Sequence, residues 1–160
     1  MTKVLNFALI FIFSLAFYSC KNSDQKSNTE LNWITVEEAS KIAEGNNDKK
    51  FIIDVYTDWC HWCKVMDKKT FTDPNLIKYL NENFYVVKFN AEQKEEVSYK
   101  GKNYKWEAMG RNGVHMLGYE LLQGRMSYPS LVYLNSNLEP IFVSPGYKEP
   151  SQLLNELKSL

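Results

Sequence analysis

Apolar positions along this chain fall into short blocks, and the spacing inside each block indicates the element it forms. Thr35-Val36-Glu37-Glu38 offers a capping box with acids in the first turn, and Ala39, Ile42 and Ala43 continue a helix that ends at Gly45. Phe51-Ile52-Ile53-Asp54-Val55-Tyr56 is a nearly unbroken run of β-formers, the pattern of a strand buried on both faces, interrupted only by Asp54. A helix is predicted from the cysteines at 60 and 63 to about Phe71. Thr72-Asp73-Pro74 then supplies a side-chain cap and a proline at the first position of the next helix, which runs to about Asn83. Phe84 to Phe89 reads as a second buried strand.

From Asn90 to Met126 the pattern loosens. Val97, Tyr99, Tyr104 and Trp106 flank Lys100-Gly101-Lys102-Asn103, which predicts a small exposed hairpin. Asn112 is positioned to cap a helix carrying Val114, Leu117, Leu121 and Leu122, closed by Gly124, with His115 on a helix face. Leu131 to Leu134 and Ile141 to Val143 read as antiparallel strands joined through Asn135-Ser136-Asn137. Pro150 opens a last amphipathic helix with Leu153, Leu154, Leu157 and Leu160. The order of strands and helices predicts an α/β fold of three layers, a central mixed sheet with helices on both faces.

The beginning of the chain has a different character. Lys3 is the only charge before Lys21, and Val4 to Tyr18 is almost wholly apolar ahead of Ser19-Cys20. A basic start, a short apolar run and a small residue describe a secretory signal over residues 1–19, and the run falls short of the ~20 residues of a spanning helix. A cysteine closing such a run resembles the lipobox of bacterial lipoproteins, which implies acylation of Cys20 and a protein anchored to a membrane, facing the periplasm. Phe17 and Tyr18 are bulkier than that pattern, and a plain signal or an uncleaved anchor is the alternative. Lys21 to Glu30 is polar with no aliphatic residue, so residues 20–30 read as a tether and 31–160 as the domain.

Composition narrows the function. The 160 residues hold one core, and 44% apolar with 14% aromatic residues is enough to pack it. Lys plus Arg and Asp plus Glu stand at 19 each, so no net field recruits nucleic acid. Lys64, Asp67, Lys68 and Lys69 read as an ordinary solvated helix face. Of the three cysteines, Cys60 and Cys63 remain as one isolated pair if Cys20 carries lipid. One pair is too few for a disulfide scaffold.

Cys60 and Cys63 sit three apart where a strand turns into a helix, which places both sulfurs on one face within bridging distance. At the helix start, unpaired N–H groups and the dipole favour a Cys60 thiolate. Cys63, one turn in, is expected to be the more buried and to act second. The other reading is half of a zinc site, but only His61 and His115 could add strong ligands, and His61 lies inside the motif. Exchange between thiols and disulfides needs no cofactor.

Asp54-Val55-Tyr56-Thr57-Asp58-Trp59-Cys60-His61-Trp62-Cys63-Lys64 resembles the active-site segment of thioredoxin-like proteins. Thr70-Phe71-Thr72-Asp73-Pro74 is similar to the subgroup that includes the periplasmic C-terminal domain of the transmembrane thiol-reductant conductor. The resemblance runs from about Phe51 to the C-terminus, with a longer 90–126 stretch than thioredoxin has. It implies that Trp59 stands beside the nucleophile, that Asp54 exchanges a proton as Cys63 reacts, and that Lys88 partners Asp54. It also implies that Pro129 is the cis-proline facing the disulfide. Each has a plainer reading: a satisfied buried polar residue for Asp54, a strand lysine for Lys88, a trans turn proline for Pro129. Burial would raise the Asp54 pKa, which a proton shuttle requires. Tyr56, Trp59, Trp62 and Tyr128 suggest an apolar lip for unfolded or peptide-like partners. His61-Trp62 replaces the Gly-Pro of thioredoxin, and an imidazolium beside Cys60 would make the disulfide more oxidising.

The expected function is therefore a thiol–disulfide oxidoreductase, a reductase or isomerase of exported proteins fed by a membrane electron donor. An oxidase of the same fold and a binding module without turnover are the competing readings.

Overall fold

The computed structural model describes residues 29–45 and 48–160. Cys20 and the apolar run before it lie outside these residues. A two-residue strand, β1 (Trp33–Ile34), comes first, followed by α1 (Val36–Glu44), whose N-terminus is closed by the predicted capping box. The Glu38 amide donates to the Thr35 hydroxyl at 3.2 Å, and the Thr35 amide donates to the Glu38 carboxylate at 2.7 Å. Next come β2 (Lys50–Tyr56), α2 (His61–Lys69), α3 (Pro74–Asn83) and β3 (Phe84–Asn90). Asp73 caps α3 by accepting the Leu76 amide at 2.9 Å, with Pro74 in the first turn, where its missing N–H costs nothing.

The 91–126 stretch holds two small hairpins, β4 (Val97–Tyr99) with β5 (Lys102–Tyr104) and β6 (Trp106–Glu107) with β7 (Val114–His115), followed by α4 (Met116–Leu121). β8 (Ser130–Leu134), β9 (Pro140–Pro145) and α5 (Pro150–Lys158) complete the chain. The main sheet runs β1-β3-β2-β8-β9, parallel where β3 meets β1 and β2 and antiparallel beyond. It is the expected mixed sheet with helices on both faces.

Strand parity splits the core in two. Phe51, Ile53 and Val55 of β2 join Val87 and Phe89 of β3 in a cluster with residues of α1, α4 and the 91–126 stretch. Ile52 and Val86 point the other way, into a cluster with Met66 of α2, Leu76 of α3 and Leu153 of α5. Asp54 and Lys88 share the parity of Ile52 and Val86, and the parallel register sets them side by side. They therefore stand on the face that α2 covers.

Several expectations are corrected here. Val114 and His115 form a strand, not the start of a helix capped by Asn112, and His115 itself caps α4: its Nδ1 accepts the Leu117 amide at 3.3 Å. His115 is fully buried against the edge of Phe89, not on an open helix face. The β4–β5 hairpin is not an exposed ornament either, since Val97, Tyr99 and Tyr104 belong to the core. The strand β1 was not anticipated, because two residues are too few to carry a period.

Candidate functional site

β2 ends at Tyr56, and a short turn brings the chain to Cys60, the N-cap of α2, with φ −68° and ψ 105°. The two cysteines form a disulfide with their Cα atoms 5.3 Å apart. Cys60 Sγ also accepts the Cys63 amide at 3.1 Å, so the sulfur occupies the capping position where a side-chain oxygen usually sits. The first turn of α2 carries no acid and its last turn carries Lys68 and Lys69, a distribution that leaves the helix field at Cys60 unopposed within the helix. Burial does not distinguish the pair as expected: Cys60 is 3% and Cys63 2% exposed. What separates them is position, one at the helix end facing free N–H groups, the other a full turn inside.

On the sheet face that α2 covers, Asp54 is buried and accepts a hydrogen bond from Lys88 Nζ on Oδ2 at 2.6 Å. Its Oδ1 has no hydrogen-bond partner among the described residues. Burial pushes the Asp54 pKa up, against the opposing pull of Lys88, and the carboxylate of Asp67 adds to the rise. Burial alone would lower the Lys88 pKa, but Asp54 and Asp67 outweigh it and hold the ammonium charged. Lys88 also donates to Asp67 Oδ1 and lies 4.8 Å from the ring centroids of both Trp33 and Tyr56. Asp67 thus belongs to the Lys88–Asp54 charge cluster, at its more exposed end, and not to a purely solvated face. Three neighbouring lysines concealed this, because the partner that matters lies on another element.

Of the four aromatics expected to form a lip, Tyr56 lies instead against Lys88, while the other three flank two surface cavities. Trp59 and Trp62 are 59% and 55% exposed, which is far from ordinary for tryptophan on a small domain. Trp59 meets Tyr128 edge to face at 5.9 Å, and the Tyr128–Pro129 peptide bond is cis. Trp62, Tyr128, Pro129, Gly146 and Tyr147 line a cavity of about 310 Å³. His61 is exposed and packs its ring against Trp62 at 5.6 Å. The structure therefore brings Trp59 against Tyr128, and Trp62 into one cavity with Tyr128 and Pro129, while His61 is exposed.

Two contributors escaped the sequence. Glu92 accepts the Trp59 indole N–H at 2.9 and 3.0 Å, and Asn112 donates to the same carboxylate at 3.4 Å. The β6–β7 loop around Asn112 borders a second cavity, of about 350 Å³, on the Trp59 side of Tyr128. No local pattern announces a loop reaching from an insertion to the cysteines. Among the described residues, no three His, Cys, Asp or Glu side chains converge as metal ligands.

A mixed sheet between two helical layers, with a Cys-x-x-Cys pair at a strand-to-helix turn, defines the class: this is a thioredoxin-like protein. The chain belongs to the family described as Thioredox_DsbH, "Protein of unknown function, DUF255", which matches residues 15–156. It is 29% identical over 118 residues to uncharacterized protein B0495.5 of Caenorhabditis elegans, covering 73% of this chain and 14% of that protein. Human spermatogenesis-associated protein 20 is 26% identical over 121 residues, 76% of this chain and 13% of the relative. The chain thus spans about a seventh of the length of these two relatives. Thiol:disulfide interchange protein DsbD of Escherichia coli strain K12 is 36% identical over 58 residues, 34% of this chain and 10% of that protein.

Solved structures show the same fold. A DsbH oxidoreductase superposes with a TM-score of 0.58 at 15% identity, covering 90% of this chain and 93% of the other. The C-terminal domain of Neisseria meningitidis DsbD in its oxidised form gives 0.51 at 17% identity, over 76% and 89%.

Proposed function

We propose that this protein is a thiol–disulfide oxidoreductase that reduces or isomerises disulfides of exported proteins. The observation that carries the proposal is the Cys60–Cys63 disulfide at the start of α2, backed by a buried Asp54, its pKa raised by burial, on the sheet face that α2 covers. A module that only held partners would gain nothing from desolvating a carboxyl there, which is costly to fold around.

In the reduced protein, the Cys60 thiolate attacks one sulfur of a partner disulfide. The partner's S–S bond breaks, one partner thiolate leaves, and a Cys60–partner disulfide forms. Cys63 then gives its proton to Asp54 and attacks Cys60 Sγ, releasing the second partner thiolate and restoring the Cys60–Cys63 disulfide. The partner gains two electrons and the pair loses two, so an external dithiol must recharge it. A membrane electron donor is the proposed source. Lys88 holds Asp54 in place and stabilises its ionised form.

The Cys63→Ala variant tests the chemistry. Removing the resolving thiol leaves the nucleophile, so mixed disulfides should accumulate on non-reducing gels and vanish when Cys60 is also replaced by Ala. Absence of such adducts contradicts the assignment of roles.

The location is proposed on sequence alone: Cys20 is acylated and holds the domain at a membrane on the periplasmic side. Fatty-acid labelling should appear in the wild type and disappear in Cys20→Ala. Equal labelling of both, or none in either, refutes it.

A further inference from the structure

The cavity on the Trp59 side of Tyr128 belongs to neither cysteine nor to the acid–base pair. Its walls are Trp59 and Tyr128 from the redox centre, Met126 from the segment before Pro129, and Met109 and Arg111 from the β6–β7 loop, with Glu92 at its edge. The base of the loop is fixed by pairing and packing. The register pairs Trp106 with His115 and Glu107 with Val114, and the Trp106 ring lies directly over Gly113. A Cβ at Gly113 would come within 2.0 Å of that ring, and its φ of +74° suits glycine alone. At the base of the hairpin, His115 is locked on both nitrogens: Nδ1 accepts the Leu117 amide, and Nε2 lies 3.1 Å from the Glu95 carbonyl.

Met109 nevertheless stands 46% exposed at the rim, in line with Trp59. The groove's two charges, Arg111 and Glu92, are opposite in sign, so it has no net charge with which to select a charged segment. Methionine and aromatic walls suit a bulky apolar side chain of variable shape. Its volume of about 350 Å³ has room for one such side chain and not for a folded element.

From this we infer that the groove is a specificity subsite, one that takes a large apolar side chain flanking the reactive cysteine of an incompletely folded polypeptide. The inference rests on the redox reading above. Because Trp59, a wall of the groove, immediately precedes Cys60, a chain reacting with Cys60 runs past the groove. Folded proteins bury side chains of this kind, so the subsite favours partners whose core is still open.

The test uses the Cys63→Ala background and single-cysteine peptides, each activated as a mixed disulfide with thionitrobenzoate. Attack of Cys60 on the peptide sulfur forms the Cys60–peptide disulfide and releases thionitrobenzoate, whose absorbance gives the rate. Peptides carry Phe, Ala or Glu two residues before or two residues after the cysteine. At one of these positions Phe should react about tenfold faster than Ala, as partial burial of such a side chain allows. The Phe-to-Ala ratio should fall to about threefold in Met109→Ala and to about one in Met109→Lys, which places a charge at the rim. Taking the ratio inside each variant removes differences in folding or in Cys60 reactivity. Equal Phe and Ala rates at both positions in the parent, a faster Glu peptide, or an undiminished ratio in Met109→Lys each overturn the inference. Reaction of the parent with a small symmetric disulfide is scored separately. Its failure would overturn the redox reading and this one with it, whereas its success with no peptide preference would overturn this one alone.

Discussion

Replacing Asp54 by Asn tests the proton-transfer step most directly. The side chain is 3% exposed, bonded on Oδ2 to Lys88 and unbonded on Oδ1. Asn preserves the shape and still accepts from Lys88, but it cannot take up a proton. If Asp54 accepts the Cys63 proton, resolution of the mixed disulfide near neutral pH should slow by roughly one to two orders of magnitude, the low end for loss of a general base. Stability should move the other way or not at all. Ionised Asp54 leaves one charged oxygen buried without a partner, and even a neutral orphan costs about 1–3 kcal/mol.

The pH dependence has a definite sign. The folded pKa lies above the unfolded value of 3.8, so between the two the native state holds a proton that the unfolded chain has lost. Stability contributed by this group is therefore present below 3.8 and is lost as pH rises through the folded pKa. The Asn variant lacks that loss, and its advantage should vanish toward pH 3. Stopped-flow exchange with a model disulfide, run beside urea unfolding of both proteins across pH, measures the two quantities. Unchanged exchange rates with a large drop in stability would show that Asp54 is structural and takes no part in proton transfer.

Two further outcomes follow from the insertion. Gly113→Ala forces a side chain into the Trp106 ring at a left-handed φ, so urea unfolding should show a loss of about 1–3 kcal/mol. An unaltered midpoint would mean that the ring does not rest on the glycine. His115 is held neutral because burial lowers its pKa, outweighing the Glu95 carbonyl and the nearby Glu37 and Glu95 charges, which favour the cation. A depressed histidine stabilises fully above about 6.5 and loses that contribution as pH falls through its folded value. His115→Asn keeps a cap acceptor and removes the titration, so its stability should decline less than that of the wild type between pH 7 and 5. Parallel declines would exclude His115 as the cause.

The central elements were legible because each carries its own signal. The capping box at Thr35, the Asp73-Pro74 stop and the apolar run around Asp54 are local chemistry, and the structure places all three as expected. Asp54 stood out because a carboxylate in a two-sided strand has few innocent explanations. Asp67 did not, since its partner Lys88 is 21 residues away on β3 and only the placement of α2 over that face of the sheet brings the two together. His115 was misread for a related reason. Val114, Leu117 and Leu121 have helical spacing, but the helix begins only after His115, and two-residue strands have no period to compete with it. Glu92 and the 108–113 loop reach the site through tertiary placement alone.

The division of the core by strand parity bears on how this protein could change its clientele. Asp54, Lys88 and α2 stand on one face of the sheet, whereas α4 and the hairpins of the insertion pack against the other. Trp59, at the turn into α2, meets both Tyr128 and, through Glu92, the loop of the insertion. On the proposed reading, a different loop between Glu107 and Val114 would present a new wall to an arriving chain and leave Asp54, Lys88 and α2 on their own foundation, provided that the Asn112 contact to Glu92 were kept. If the proposed subsite and redox roles hold, the selection of partners and the strength of the redox couple are separately adjustable.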